Sequence, residues 1–286
     1  MLKKNNYSLL NCIATAMITY FCMVPLHELF HLLTYYAYGE KCRYISSFSV
    51  GSLDTVDFMA FPPFHRIMAT GGSASIINII IAVILLIILL KVQMGPTMRV
   101  FLTQYMGLHW AEGFGYFMMG GMMKYGDWGV VLSYFPDNPA FVATLRIILL
   151  IIGCAGAVAQ FFILNYMSYY FIENPADKTE RRTVAAKLHL TVYFVGVVFL
   201  LASLSQNPSI KNGSVSMVTG LIASFMFIGF VWGFLFTGFL VKPPRKSRFL
   251  YTLPKEPHFI LYVIGVAAFL VNTFVLGPGI YLNYTR

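Results

Sequence analysis

The chain has few charged residues and few cysteines, and both shortages exclude classes of protein. Asp, Glu, Lys and Arg make up 11% of its 286 residues, whereas a soluble domain carries roughly a quarter. No polar stretch is much longer than about 25 residues, so there is no room for a sizeable soluble domain. The four cysteines include no Cys-x-x-Cys pair, which gives no sign of a disulfide framework or of a cysteine zinc site.

Apolar residues are abundant instead, at 58% of the chain with a mean hydropathy of +0.71. A bilayer core of about 30 Å needs roughly 20 helical residues to cross it. Seven apolar segments meet that length, and the composition predicts an all-α polytopic membrane protein with about seven transmembrane helices. The segments lie near residues 8–38, 66–91, 99–123, 139–172, 188–205, 216–241 and 258–282.

Positive charge is distributed unevenly among the loops between these segments, and the net charge is +9. With a cytoplasmic N-terminus, the inside loops hold 13 of the 20 Lys and Arg residues and the outside loops hold 6. Because cytoplasmic loops carry the excess of Lys and Arg, this count predicts N-inside, C-outside topology in a cytoplasmic membrane, which we expect to be bacterial. The basic charge therefore indicates contact with anionic lipid of the bilayer and not with nucleic acid.

One motif in the first apolar segment carries recognisable chemistry, His27-Glu28-Leu29-Phe30-His31. On a helix, residues four apart project from the same face, so the two imidazoles can bind one Zn²⁺. Glu28 lies where it can act as the base that takes a proton from water. Ionisable side chains are costly inside a membrane helix, and a cluster of three on one turn indicates a functional site.

Two stretches after the motif are candidates for binding an extended substrate. Residues 41–61 are rich in Val, Ile, Phe, Thr and Ser, which predicts a β-hairpin-like segment, with Gly51-Ser52 as the turn. Its free edge could pair with a substrate strand. Residues 70–78 are mostly small and allow close helix packing, but Asn78 is a buried amide that needs partners in lipid. Close packing therefore explains the small residues but not Asn78.

A catalytic zinc needs a third protein ligand, and Asp127 is the first candidate. The first segment runs outward, which places its motif in the outer half of the membrane, and Asp127 lies at the outer end of the third segment. His109 and Glu112, three residues apart and so on one face of the third segment, are the alternatives.

Taken together, these features resemble the site-2 protease family of intramembrane zinc metalloproteases. The resemblance covers roughly residues 20–130: HELFH in a first span, a hairpin-like segment, the GGSASIIN opening of the next span, and a later aspartate. This chain has Gly126-Asp127 where the family has Asp-Gly.

The resemblance assigns a role to each matching position. It implies that His27 and His31 are zinc ligands, that Glu28 is the catalytic base and that Asp127 is the third ligand. Asn78 matches the asparagine of the family's small-residue stretch, and on this reading we assign it to substrate binding.

The resemblance also implies a division of the chain and a substrate. Residues 1–138 would form a metalloprotease core of three transmembrane helices, and residues 139–286 would add accessory helices. The substrate would be a transmembrane segment of another protein. Two alternatives stay open, a CAAX-type prenyl-protein protease and a non-enzymatic membrane protein that binds or transports metal.

The loop charges predict which positions each side of the membrane can reach. Single cysteines placed near Lys246 should react with a membrane-impermeant thiol reagent only from the cytoplasm, and those near Lys211 only from outside. Labelling of intact cells against opened membranes measures this difference. The reverse pattern would move the motif to the cytoplasmic half of the membrane.

Overall fold

Long helices make up most of the structure, which is a computed structural model describing residues 7–39, 42, 44–47, 49–51, 62–123, 126–207, 227–235 and 250–282. The helices are α1 (Ser8–Ala37), α2 (Pro63–Ile67), α3 (Ser73–Lys91), α4 (Pro96–Met122), α5 (Gly126–Ser133), α6 (Pro139–Ser168), α7 (Lys178–Ala185), α8 (Thr191–Gln206), α9 (Ile228–Leu235) and α10 (Phe259–Val271). Single π-helical turns join α2 to α3 and α7 to α8 and extend α10, and a 3₁₀ turn extends α6; they are Met68–Gly72, Ala186–Leu190, Asn272–Leu276 and Tyr169–Phe171.

Five of the resulting helical rods are long and apolar enough to cross a membrane, as expected for an integral membrane protein with several spans. They are Ser8–Ala37, Pro63–Lys91, Pro139–Phe171, Lys178–Gln206 and Phe259–Leu276. The third predicted segment forms the 27-residue helix α4, but α4 is too polar to be one of these five. The predicted segment 216–241 lies mostly outside the described residues, which include only α9 from it.

Helix α3 shows why these rods suit lipid. Its run of Ile and Leu buries one stripe of side chains, in which Ser75, Asn78 and Ala82 lie one turn apart. The opposite stripe, with Ile80, Ile84 and Ile87 about half exposed, is even more apolar than the buried one. A helix that is apolar on both faces needs acyl chains or protein on every side.

Helix α4 lies at the centre of the bundle and packs against α1, α3 and α6. Of its 27 residues, 17 are buried, which accounts for a composition with more polar residues than lipid would tolerate. Glycines permit its close contacts. A Cβ on Gly113 would press on Ser75 O of α3 at 3.0 Å, and a Cβ on Gly153 of α6 would overlap the backbone nitrogen of Met118.

Arg99 is not a loop cation, as the charge count assumed, but is fully buried in the first turn of α4. Its guanidinium lies over the rings of Tyr170 and Tyr251, 4.0 and 4.7 Å from their centroids, and donates to Leu89 O at 2.9 Å. Cation–π contacts stabilise a desolvated arginine, and no carboxylate among the described residues forms an ion pair with it. Arg99 therefore links α4 to Tyr251 in the segment after residue 250.

A small antiparallel sheet confirms the hairpin-like segment and adds a strand to it. Strands β1 (Tyr44–Ile45) and β2 (Val50–Gly51) form the hairpin, and β3 (Ile280–Tyr281) pairs with the other edge of β1. The predicted turn at Gly51-Ser52 is wrong, because Gly51 pairs with Tyr44 and the turn lies between Ile45 and Val50.

Serine hydroxyls explain where the turn forms. Ser46 N donates to Ser49 O at 2.9 Å, and Ser49 N donates to Ser46 Oγ at 3.0 Å. Such side-chain bonds give the backbone a local alternative to the ladder, and they outweigh the general preference for glycine at a turn.

The close contact between α4 and α6 predicts that one added methyl group at position 153 lowers the stability of the protein. Gly153→Ala should destabilise the protein by about 1–3 kcal/mol, because the backbone of Met118 would have to move. Gly233→Ala is the matched control, since its Cβ would meet Leu164 at an ordinary 3.7 Å. Thermal unfolding in detergent measures both variants, and equal stability of the two would contradict the packing argument.

Candidate metal centre

The His-Glu-x-x-His motif lies within α1, which runs without a break through Pro25. His27, Glu28 and His31 are all buried. The four-residue spacing brings the two rings into edge contact, with His27 Nε2 3.2 Å from His31 Nε2. Because the two histidines are one helical turn apart, their Nε2 atoms lie close enough to bind the same ion.

Asp127 completes this group from the first turn of α5. Its Oδ2 lies 3.1 Å from His31 Nε2 and 3.3 Å from His27 Nε2. Burial raises the pKa of Asp127, but the His31 and His27 imidazoles outweigh it and lower that pKa to about 2. The side chain is therefore a carboxylate, and it is 17% exposed.

Glycines position the aspartate. Gly126, directly before Asp127, has φ +72°, a conformation that other residues rarely adopt. A Cβ on Gly71 would lie 2.7 Å from Val131 and 3.1 Å from Asp127 O, so only glycine lets the π-helical turn approach α5 this closely. Gly120 of α4 does the same for Trp128, where a Cβ would overlap the tryptophan Cβ.

The three side chains fit a small tetrahedral cation. Zinc bonds of 2.0–2.1 Å place two ligands of a tetrahedron about 3.3–3.4 Å apart, and the three donor atoms here are 3.1–3.3 Å apart. Two imidazoles and one carboxylate form a donor set that zinc prefers in catalytic sites. Within the described part of the chain, this is the one group of three or more such side chains whose ligand atoms converge.

The alternative ligands His109 and Glu112 are not members of this group. His109 Nδ1 is 2.8 Å from Asn78 Oδ1, so His109 faces the amide and not the cluster. Glu112 is buried on α4, and its Oε2 has no hydrogen-bond partner among the described residues.

Asn78 is fully buried between two histidines. Its Nδ2 lies 2.8 Å from His27 Nδ1, on the side of the ring away from Asp127, and its Oδ1 lies near His109. The substrate-binding role stays a prediction, but both ends of the amide are already engaged by imidazoles. The sequence indicated that Asn78 needs partners without identifying them.

Two contacts at or near the motif were not predicted from the sequence. The Tyr116 ring stacks on His27, with centroids 4.8 Å apart and planes 12° apart. The second is the contact between Asn78 and His109. Its one sign in the sequence is the polar pair His109 and Glu112, which we interpreted as alternative ligands. Nothing in the sequence around Tyr116 distinguishes it from a lipid-facing tyrosine.

Comparison of the chain with protein-family models, with curated proteins and with solved structures finds no match. The function is therefore argued from the chemistry of this site.

The geometry predicts which carboxylate binds metal. Asp127→Ala should weaken zinc binding more than about 100-fold, since losing a direct ligand costs more than the 10–100-fold of an outer-shell partner. Glu112→Ala, the matched loss of a buried carboxyl, should leave zinc stoichiometric. Metal content and competition with a chelator measure both, and zinc kept by the first variant but lost by the second would assign the ligand to α4.

Proposed function

We propose that this protein is an intramembrane zinc endopeptidase similar to the site-2 proteases. The observation that carries the proposal is the convergence of His27, His31 and Asp127 within a bundle of membrane-length helices. We also propose that the chain has seven spans and a cytoplasmic N-terminus, and that its metal centre lies in the outer half of a bacterial cytoplasmic membrane. The loop charges support that orientation.

Three side chains would hold the metal and leave one position of a tetrahedron for the reactants. When bound, Zn²⁺ supplies a Lewis acid that polarises the scissile carbonyl and lowers the pKa of water. Glu28 lies between the two histidines on the same helical turn and is buried beside them. Its carboxylate accepts a proton from the attacking water and later donates one to the departing amine.

The substrate is a transmembrane segment of another protein, unwound near the site because a helix hides its peptide bonds. The β1–β2 hairpin packs against α1, the helix that carries the motif. Strand β3 occupies one edge of β1, while the outer edge of β2 has no paired strand in the described residues. An extended substrate would add to that edge through backbone hydrogen bonds.

The same observations disfavour the two alternatives. A CAAX-type protease is expected to use a downstream glutamate as ligand, and Glu112 is not part of the cluster. A metal transporter needs binding groups along its whole depth. The described residues offer one converging set, at the end of α4 that adjoins α5.

Glu28→Gln should lower the cleavage rate by at least about 10²-fold while zinc stays bound, because glutamine keeps the shape but cannot accept a proton. The assay is hydrolysis of a panel of single-span peptides, each carrying a fluorophore and a quencher, by the full chain in liposomes.

Glu112→Gln is the matched control and should keep both zinc and activity. Wild-type cleavage by Glu28→Gln would show that the base is misassigned. A wild-type protein that binds zinc but cleaves no peptide of the panel would count against the peptidase.

A further inference from the structure

The Asn78 amide links two imidazoles from different helices. His27 on α1 and His109 on α4 both turn Nδ1 toward it, and each nitrogen is 2.8 Å from an amide atom. All three side chains are at most 1% exposed. In the described part of the chain, Asn78 is the hydrogen-bond partner of both Nδ1 atoms.

The proton position on His27 decides whether it can bind a metal. A neutral imidazole carries one N–H, and a nitrogen that coordinates must be the bare one. His27 turns Nε2 toward His31 and Asp127, so a metal there requires the proton on Nδ1. That Nδ1–H then needs an acceptor, and the described residue in position to provide one is Asn78, through its amide oxygen.

The amide has two orientations of nearly equal shape. As placed, Asn78 Nδ2 donates to His27 Nδ1, which requires the His27 proton on Nε2, and His109 Nδ1 donates to Asn78 Oδ1. A half-turn about the last side-chain bond presents oxygen to His27 and nitrogen to His109. Both hydrogen bonds survive the turn, but both histidines must exchange tautomers.

His109 can follow this exchange. Its Nε2 is buried and makes no hydrogen bond to any described residue, so no other group decides which of its nitrogens carries the proton. Its ring is held in place by an edge contact with Tyr105, at 4.4 Å between centroids. The ring therefore supplies a fixed partner that donates to or accepts from Asn78 as needed.

We propose that Asn78, anchored by His109, is a positioning residue that sets the tautomer of His27 and thereby the zinc affinity of the site. Binding of the metal selects the orientation in which Asn78 Oδ1 accepts from His27 Nδ1 and Asn78 Nδ2 donates to His109. Partners of this kind, behind a ligating histidine, typically account for 10–100-fold in metal affinity. The inference rests on the proposed zinc site.

Zinc affinity of the purified full chain, measured by competition with a chromophoric chelator, tests the proposal. Asn78→Ala should bind zinc 10–100-fold more weakly. Asn78→Asp should stay close to wild type, since a carboxylate also accepts from His27 Nδ1. This order separates positioning from mere packing, because a buried extra charge would harm the fold more than alanine does.

Asn165→Ala is the matched control. Asn165 is also a buried amide with two hydrogen bonds, to Phe161 O and Gly233 O, but it lies away from the cluster. It should lower stability and leave zinc affinity unchanged. His109→Phe should lose less affinity than Asn78→Ala, and wild-type affinity in that variant would overturn the anchoring role.

A wild-type measurement covers the case in which Asn78→Ala does not fold. With ¹⁵N-labelled histidine, NMR should find the His27 proton on Nδ1 with zinc bound and on Nε2 after removal with a chelator. An unchanged tautomer, or equal zinc affinity in wild type and Asn78→Ala, overturns this inference alone. A wild-type protein that binds no zinc overturns the proposed function and this inference with it.

Discussion

Two imidazoles and one carboxylate converge inside an apolar bundle, and this requirement constrains how the surrounding helices pack. Each group alone would cost several kcal/mol to bury away from water. Held 3.1–3.3 Å apart, they offset one another's charge and dipoles and offer a cation three donors at once. The glycines at 71, 120 and 126 fit this constraint, because a side chain there would collide with α5 or strain the backbone just before Asp127.

The same constraint explains the unusual composition of α4. A helix facing lipid would not carry His109 and Glu112, but a helix surrounded by α1, α3 and α6 can, because its side chains lie against protein. Asn78 on α3 engages His109 and touches His27 with its other end. The metal cluster is thus backed by polar contacts that reach the centre of the bundle.

Local spacing and depth predicted which side chains of the cluster lie together, whereas most long-range pairings were not predicted. Helical spacing alone places His27 and His31 together, and comparing depths along the first and third spans, which both run outward, identifies Asp127 as the third member. The predicted position of the hairpin turn was wrong, because serine hydroxyls and not glycine determine where the turn forms. The burial of Arg99 and the pairing of Asn78 with His109 depend on which helices meet, and the spacing of residues in a single sequence carries no signal of that.

Strand β3 has a consequence for how the protein is made. It pairs with β1 across almost the whole length of the chain, whereas the three cluster residues all lie before residue 128. During synthesis from the N-terminus, the helices that hold the cluster are made first, so its three side chains can come together while the ribosome is still translating α6 to α10. The sheet beside the site closes only when the final helix has been inserted. Assembly of the cluster does not have to wait for completion of the neighbouring sheet.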